Sequence, residues 1–190
     1  DALLIRLSTL IDPEIHNPQI VADAADALVE KEDYERATKL YKDLRKWNPV
    51  SFHKARSYKG LGLIAEKQGR SGDAIRHYRD YEKEAATSTD LAGIVLKRIK
   101  LQLDSDTPGD VKTDLEQLLE NPVSTTQHKA EALFLIGENL ASKSEYEKAT
   151  AYFERVYVVY GKYRDLVAKS YFRRAEILET KLNNKSAAYE

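Results

Sequence analysis

One pattern of apolar residues recurs along this chain and restricts its fold more than any other feature. In each copy, large residues follow one another at helical spacing, a short polar run interrupts them, and a small or β-branched residue opens a second helical stretch. The copies are separated by 37, 37, 38 and 38 positions, as measured between Ala37, Ala74, Val111, Ala149 and Ala187. Such a repeat predicts stacked helical hairpins, because a hairpin buries its apolar face against its neighbours.

The copies differ in how closely they keep the pattern. The segment 130–163 is the most regular, with large residues on both sides of a polar run at 142–146. The third copy places Arg98 and Gln102, and the fifth places Arg174, where the other copies have apolar or small residues. The third copy therefore departs most from the pattern.

Local signals for helix ends place the individual helices. Asn17 followed by proline predicts a helix from residue 18 to about residue 30, and Asp33 predicts the cap of a helix ending at Trp47. Ser51 is a candidate cap for the next helix, which extends to about residue 68. Further helices are predicted over 73–86 and 110–121, and the segment 104–109 is the longest turn-like stretch.

Two short segments carry a resemblance to a known family. Residues 33–37, Asp-Tyr-Glu-Arg-Ala, are followed by Tyr41 and Pro49, and residues 145–149, Glu-Tyr-Glu-Lys-Ala, are followed by Phe153. This arrangement resembles the tetratricopeptide repeat, and the resemblance covers nearly the whole chain. It implies an all-α fold, a right-handed superhelical solenoid of antiparallel helix hairpins. Departures are the missing Trp at the first large position and the longer period.

The longer period also bears on location and on domain organisation. It looks like the repeats of bacterial cell-envelope proteins, which implies the periplasm or cell envelope, with the cytoplasm as an open alternative. The chain is predicted to be one domain over 1–190 and a piece of a longer protein. Its parts are the second helix of a preceding hairpin over 1–12 and repeats at about 18–51, 55–88, 92–125, 130–163 and a truncated 168–190.

Composition and charge argue against several classes of function. Lys and Arg number 30 and Asp and Glu number 31, so the net charge of −1 gives no overall reason to expect nucleic acid as a partner. The four histidines are scattered, cysteine is absent, and no apolar run is long enough to span a membrane. We therefore predict no metal, no cofactor, no transmembrane segment and no enzymatic activity.

The family resemblance implies a concave groove lined by the first helix of each hairpin. The segment 54–103 contains eleven basic and six acidic residues, which gives it a local net charge of +5. The expected partner is a protein or peptide segment, acidic and carrying large apolar residues. The groove candidates are Arg56, Lys59, Leu63, Lys97, Lys100, Glu131, Phe134, Leu135, Glu138, Phe172 and Arg173.

Three functions fit this sequence. The first is a non-catalytic scaffold that binds a protein segment in the groove. The second is a helical accessory domain of a larger enzyme or of a cell-envelope or secretion machine, packed on neighbouring domains. The third is a homo-oligomer formed through the exposed repeat ends.

Overall fold

The computed structural model describes residues 17–48, 50–105 and 111–188, together with the single residues 3, 6, 10 and 12. Within these residues the chain is helical and has no strand. The helices are α1 (Pro18–Glu30), α2 (Tyr34–Trp47), α3 (Ser51–Lys67), α4 (Ser71–Glu84), α5 (Leu91–Leu103), α6 (Lys112–Glu120), α7 (Thr126–Ser142), α8 (Tyr146–Val159), α9 (Arg164–Thr180) and α10 (Lys185–Ala188).

The chain divides into two compact units, Asp1–Leu101 and Gln102–Glu190. In unit 1, α1 packs on α2, α2 on α3 and α3 on α4, and α1 also contacts α3. In unit 2, the helices from α6 to α10 pack on one another in the same sequential way, and α7 also contacts α9. The predicted all-α fold of successive helical hairpins is confirmed, whereas one domain over 1–190 stays a prediction.

The repeat pattern accounts for the core of each unit. The residues at the anchor positions Ala37, Ala74, Val111 and Ala149 are all fully buried. The bulky residues that follow each anchor are buried with them, and the largest are Tyr41, Leu44, Tyr78, Tyr81, Leu115, Phe153 and Val156. The polar residues Arg98 and Gln102 of the third copy are also buried. Burial of these side chains is the main stabilising contribution of each hairpin.

Small residues on the first helix of a hairpin make room for aromatic rings. A Cβ atom at Gly62 would overlap the Tyr78 ring, and one at Gly137 would lie 2.7 Å from the Phe153 ring. These approaches are closer than a pair of carbon atoms tolerates, so a larger side chain would separate the two helices. The alternation of large and small residues in the repeat therefore reflects ring packing within each hairpin.

The turns inside the hairpins share one backbone conformation. Glu32, Gly69 and Ser144 each have φ between 60° and 70°, in the left-handed region. One residue later, the backbone N–H donates to a carbonyl five residues upstream, as from Asp33 to Leu28 and from Glu145 to Leu140, both at 2.9 Å. This bond closes the end of the preceding helix, and the turn therefore requires one left-handed residue.

We expect Ser144→Gly to raise the free energy of unfolding by up to about 1 kcal/mol, because glycine adopts the left-handed conformation without the steric cost that serine has. Urea denaturation measures the change. Ala141→Gly, within α7, is the control and should lower the free energy of unfolding by about 1 kcal/mol, because glycine is a poor helix former. A loss of stability in both variants would contradict the role of the turn.

Several predicted helix bounds need correction. Asp33 caps α2 as predicted, and its side chain accepts a hydrogen bond from the Arg36 N–H. Ser51, in contrast, is the first residue of α3 and not its cap, and α4 begins at Ser71, ahead of Asp73. The first helix of the fourth hairpin, α7, begins at Thr126, because Thr125 forms a capping box with His128.

The first helices of the hairpins differ in length. α3, α7 and α9 each have 17 residues, against 13 in α1 and α5. Longer first helices therefore contribute to the long period in some copies but not in the third, where the residues between helices contribute instead. The predicted helix over 1–12 and the turn residues 106–109 lie outside the described residues, apart from the four single positions near the start.

Candidate functional site

Unit 1 contains a cavity of about 860 Å³, within the range of roughly 300 to 1,000 Å³ typical of ligand pockets. Its walls come from the ends of α1 and α4, the first half of α3 and the loop before α5. The lining residues are Asp26, Val29, Glu30, Tyr41, Ser51, Phe52, Ala55, Arg56, Lys59, Gly60, Leu63, Tyr81, Glu84, Ala85, Thr87, Ser88, Thr89 and Asp90.

Two buried tyrosines form part of the cavity wall. The Tyr41 ring lies against Gly60, where a Cβ atom would overlap the ring. The Tyr41 hydroxyl donates to Asp26, and the Tyr81 hydroxyl donates to Ser88 at 3.0 Å. Burial, followed by the charge of Asp26, raises the pKa of Tyr41 above its ordinary value. Both hydroxyl groups are fixed by hydrogen bonds, so this part of the wall is preformed.

Arg56 joins α3 to α1 through two carboxylates. Its Nη2 atom lies 2.6 Å from Asp23 Oδ1 and 2.5 Å from Asp26 Oδ2. Burial lowers the pKa of Arg56, but the hydrogen bonds to Asp26 and Asp23 outweigh this effect, so the pKa lies above its ordinary value. The Arg56 charge is therefore balanced within the protein.

The other predicted basic residues also have partners. Lys59 pairs with Asp90 across the cavity rim. Lys97 Nζ lies 3.6 Å from Glu66 Oε2, a carboxylate oxygen that also accepts a hydrogen bond from Tyr78 at 2.6 Å. Lys100 is exposed, and it too has a hydrogen-bond, ion-pair or other electrostatic interaction within the protein. Of the predicted groove residues in unit 1, the cavity is lined by Arg56, Lys59 and Leu63. It is not lined by Lys97 or Lys100.

Phe52 is the large apolar side chain that the cavity presents to solvent. It is 63% exposed, although it lies in the first turn of α3 and lines the cavity. Its ring contacts His53 edge-on, with 5.2 Å between the centroids. Aromatic residues, including phenylalanine, are enriched at protein–protein interfaces, so an exposed ring beside a concave surface is a candidate anchor for a partner.

Unit 2 contains the remaining predicted groove residues, and several of them pack within the unit. Leu135 is buried, and the half-buried Phe134 ring lies 5.4 Å from the Phe153 ring. Arg173 Nε lies 2.7 Å from Glu138 Oε1, and Arg173 also pairs with Glu176. Glu131 is half-buried and has an interaction of its own, whereas Phe172 is 68% exposed. Of the predicted apolar anchors in unit 2, Phe172 is the exposed one.

The histidines were predicted not to form a metal site. Among the described residues, no group of three side chains is suited to hold a metal ion. His16 lies outside the described residues, and His53, His77 and His128 are half-buried. Burial lowers the pKa of His77, and the nearby charges of Arg76 and Arg45 lower it further. In the described part of the chain, no helix is long and apolar enough to cross a bilayer.

Sequence reasoning missed part of the cavity wall. Glu30, Phe52, Glu84 and the loop 85–89 were not among the groove candidates, because those were counted only at a few fixed positions on the first helix of each repeat. Glu30 ends α1, and Glu84 ends the second helix of the next hairpin. A signal in the sequence was an acidic residue in the last turn of each of these two helices, where a basic residue is the more favourable choice.

Comparisons with known proteins bear on this same part of the chain. The family model for the tetratricopeptide repeat matches residues 22–89. All of the cavity lining except Asp90 falls within that stretch. A comparison with curated proteins gives no significant match.

Proposed function

We propose that this chain, whose residues 22–89 match the family model of the tetratricopeptide repeat, binds a segment of a partner protein in the cavity of unit 1 and does so without catalysis. Tetratricopeptide repeats generally mediate protein–protein interactions, and they bind on extended concave surfaces. The observation that carries the proposal is the 860 Å³ cavity within the matched hairpins, with the exposed Phe52 beside it.

The cavity has the features that a segment-binding site needs. Tyr41, Ala55 and Tyr81 supply a buried apolar wall, while Thr87 and Ser88 add hydroxyl groups to the lining. Such a surface can bury an apolar side chain of the partner and hydrogen-bond its backbone.

The other functional expectations from the sequence remain predictions. They are the acidic character of the partner, an accessory domain packed on the rest of a larger machine, a homo-oligomer through the repeat ends, and a location in the bacterial cell envelope. The cavity supports a bound segment directly, because it combines a preformed apolar wall with an exposed aromatic ring. We therefore place segment binding ahead of these alternatives.

The test compares two phenylalanines of nearly equal exposure. Peptides of about twelve residues are selected from a random display library on the wild-type chain, and their affinities are measured by fluorescence anisotropy. We expect Phe52→Ala to weaken binding by at least about tenfold, because truncating an aromatic anchor typically costs about 2 kcal/mol or more, whereas Phe172→Ala, in unit 2, should change affinity less than about twofold.

The reverse ranking would overturn the proposal. If Phe172→Ala weakened binding and Phe52→Ala did not, the predicted residues of unit 2 would form the site. Equal affinities for the wild type and both variants would also reject the cavity. Circular dichroism of each variant verifies that the helices are retained, and both side chains are exposed enough for the fold to tolerate the change.

A further inference from the structure

The charges around the cavity of unit 1 are not those that the local sequence indicates. The segment 54–103 has a basic excess, but the cavity is also lined by carboxylates from outside that segment, Asp26 and Glu30. Two cations, Arg56 and Lys59, face four carboxylates, so the lining has a net charge of −2. The charged residues that line the cavity are Asp26, Glu30, Glu84, Asp90, Arg56 and Lys59.

Both cations are already neutralised by the protein. Arg56 contacts Asp23 and Asp26, and Lys59 contacts Asp90. An acidic ligand would have to displace these carboxylates, and it would gain little because each new ion pair would replace an existing one. The basic residues of the cavity therefore act as structural links and give an acidic segment no advantage.

Two carboxylates of the cavity lining have no cationic partner among the described residues. Among the described residues, neither Glu30 nor Glu84 forms an ion pair, and both line the cavity. The helix dipoles oppose one another here, because the C-terminal ends of α1 and α4 meet the N-terminal ends of α3 and α5 around this cavity. The side-chain charges of the lining, with their net charge of −2, therefore favour a cation in the cavity.

We propose that the segment bound in this cavity inserts a Lys or Arg side chain between Glu30 and Glu84 and packs a neighbouring apolar residue on Phe52. This inference rests on the proposed function. Lys and Arg suit such a site because their apolar stems can lie along an aromatic ring while the charged group reaches the carboxylates. It assigns the ligand a charge opposite to the one expected from the basic excess over 54–103.

The test uses the peptides selected on the wild-type chain whose binding depends on Phe52. We expect these peptides to be enriched in Lys or Arg next to an aromatic or aliphatic residue. The double variant Glu30→Gln with Glu84→Gln should weaken their binding at least about tenfold at low salt and less at high salt, because part of the attraction is electrostatic and is screened. Glu154→Gln, at an exposed glutamate of unit 2, is the matched control and should change affinity less than about twofold.

The double variant should fold as the wild type does. An acid in the last turn of a helix is unfavourable, so its replacement by Gln removes a small destabilising interaction. Enrichment of acidic peptides, or an unchanged affinity in the double variant, would overturn this inference while the dependence on Phe52 still supported the proposed function. Loss of the Phe52 dependence would instead overturn the proposed function.

Discussion

Phe153→Ala is expected to lower the free energy of unfolding by about 3 to 5 kcal/mol, the range typical of large aromatic residues in a core. Phe153 is fully buried in unit 2, and its ring lies over Gly137 and beside Phe134. Since Gly137 has no side chain that could fill the vacated space, alanine would leave a cavity between α7 and α8. The cost therefore combines lost apolar burial with unfilled volume.

Urea denaturation followed by circular dichroism measures this loss. Phe52→Ala is the control, because it deletes the same atoms from a side chain that is 63% exposed, and we expect a change within about 0.5 kcal/mol. The contrast between the two phenylalanines decides the prediction. Similar losses in the two variants would contradict the packing described for unit 2.

Arg98→Leu is expected to lower the free energy of unfolding by about 3 kcal/mol, near the low end of the range for breaking a buried ion pair. The Arg98 side chain is 3% exposed, and its Nε atom lies 2.6 Å from Glu82 Oε1. Without Arg98, the charge of Glu82 stays in a site where its side chain is only 22% exposed. The expected loss of stability is the free-energy cost of leaving this charge unpaired where water reaches it poorly.

The double variant Arg98→Leu with Glu82→Leu separates charge from packing. It removes both charges and keeps apolar volume at both positions, so we expect it to recover at least about half of the stability lost in Arg98→Leu. Thermal and urea unfolding of the two variants against wild type give the comparison. A double variant that is as unstable as Arg98→Leu would mean that the ion pair with Glu82 is not what stabilises this part of unit 1.

Much of the fold could be predicted because its signals are local. The bounds of α1 and α2 agree with the prediction to the residue, since Asn17, Pro18 and Asp33 act within one turn of the helix that they begin. The start of α7 has a weaker local signal, because Thr125 and His128 form a capping box with histidine in the place of the usual Glu or Gln.

The candidate site could be predicted only in part. The first-helix positions Arg56, Lys59 and Leu63 were predicted to face a groove, and they line the cavity of unit 1. Their charge environment was not predictable from the segment around them, because the partners of Arg56 lie 30 and 33 positions away in the sequence. A count of charges over 54–103 leaves those partners out.

The sequence by itself determined the helical hairpins and the residues buried within them. Large and small side chains at fixed spacing leave few ways to cover their apolar surface, so the position of Phe153 over Gly137 follows from the repeat. Only the tertiary structure decided which charges are neutralised and which carboxylates, Glu30 and Glu84, remain in the cavity. The physical reason is distance: burial follows a local periodicity, whereas an ion pair depends on which charged side chains the fold brings within about 4 Å of each other.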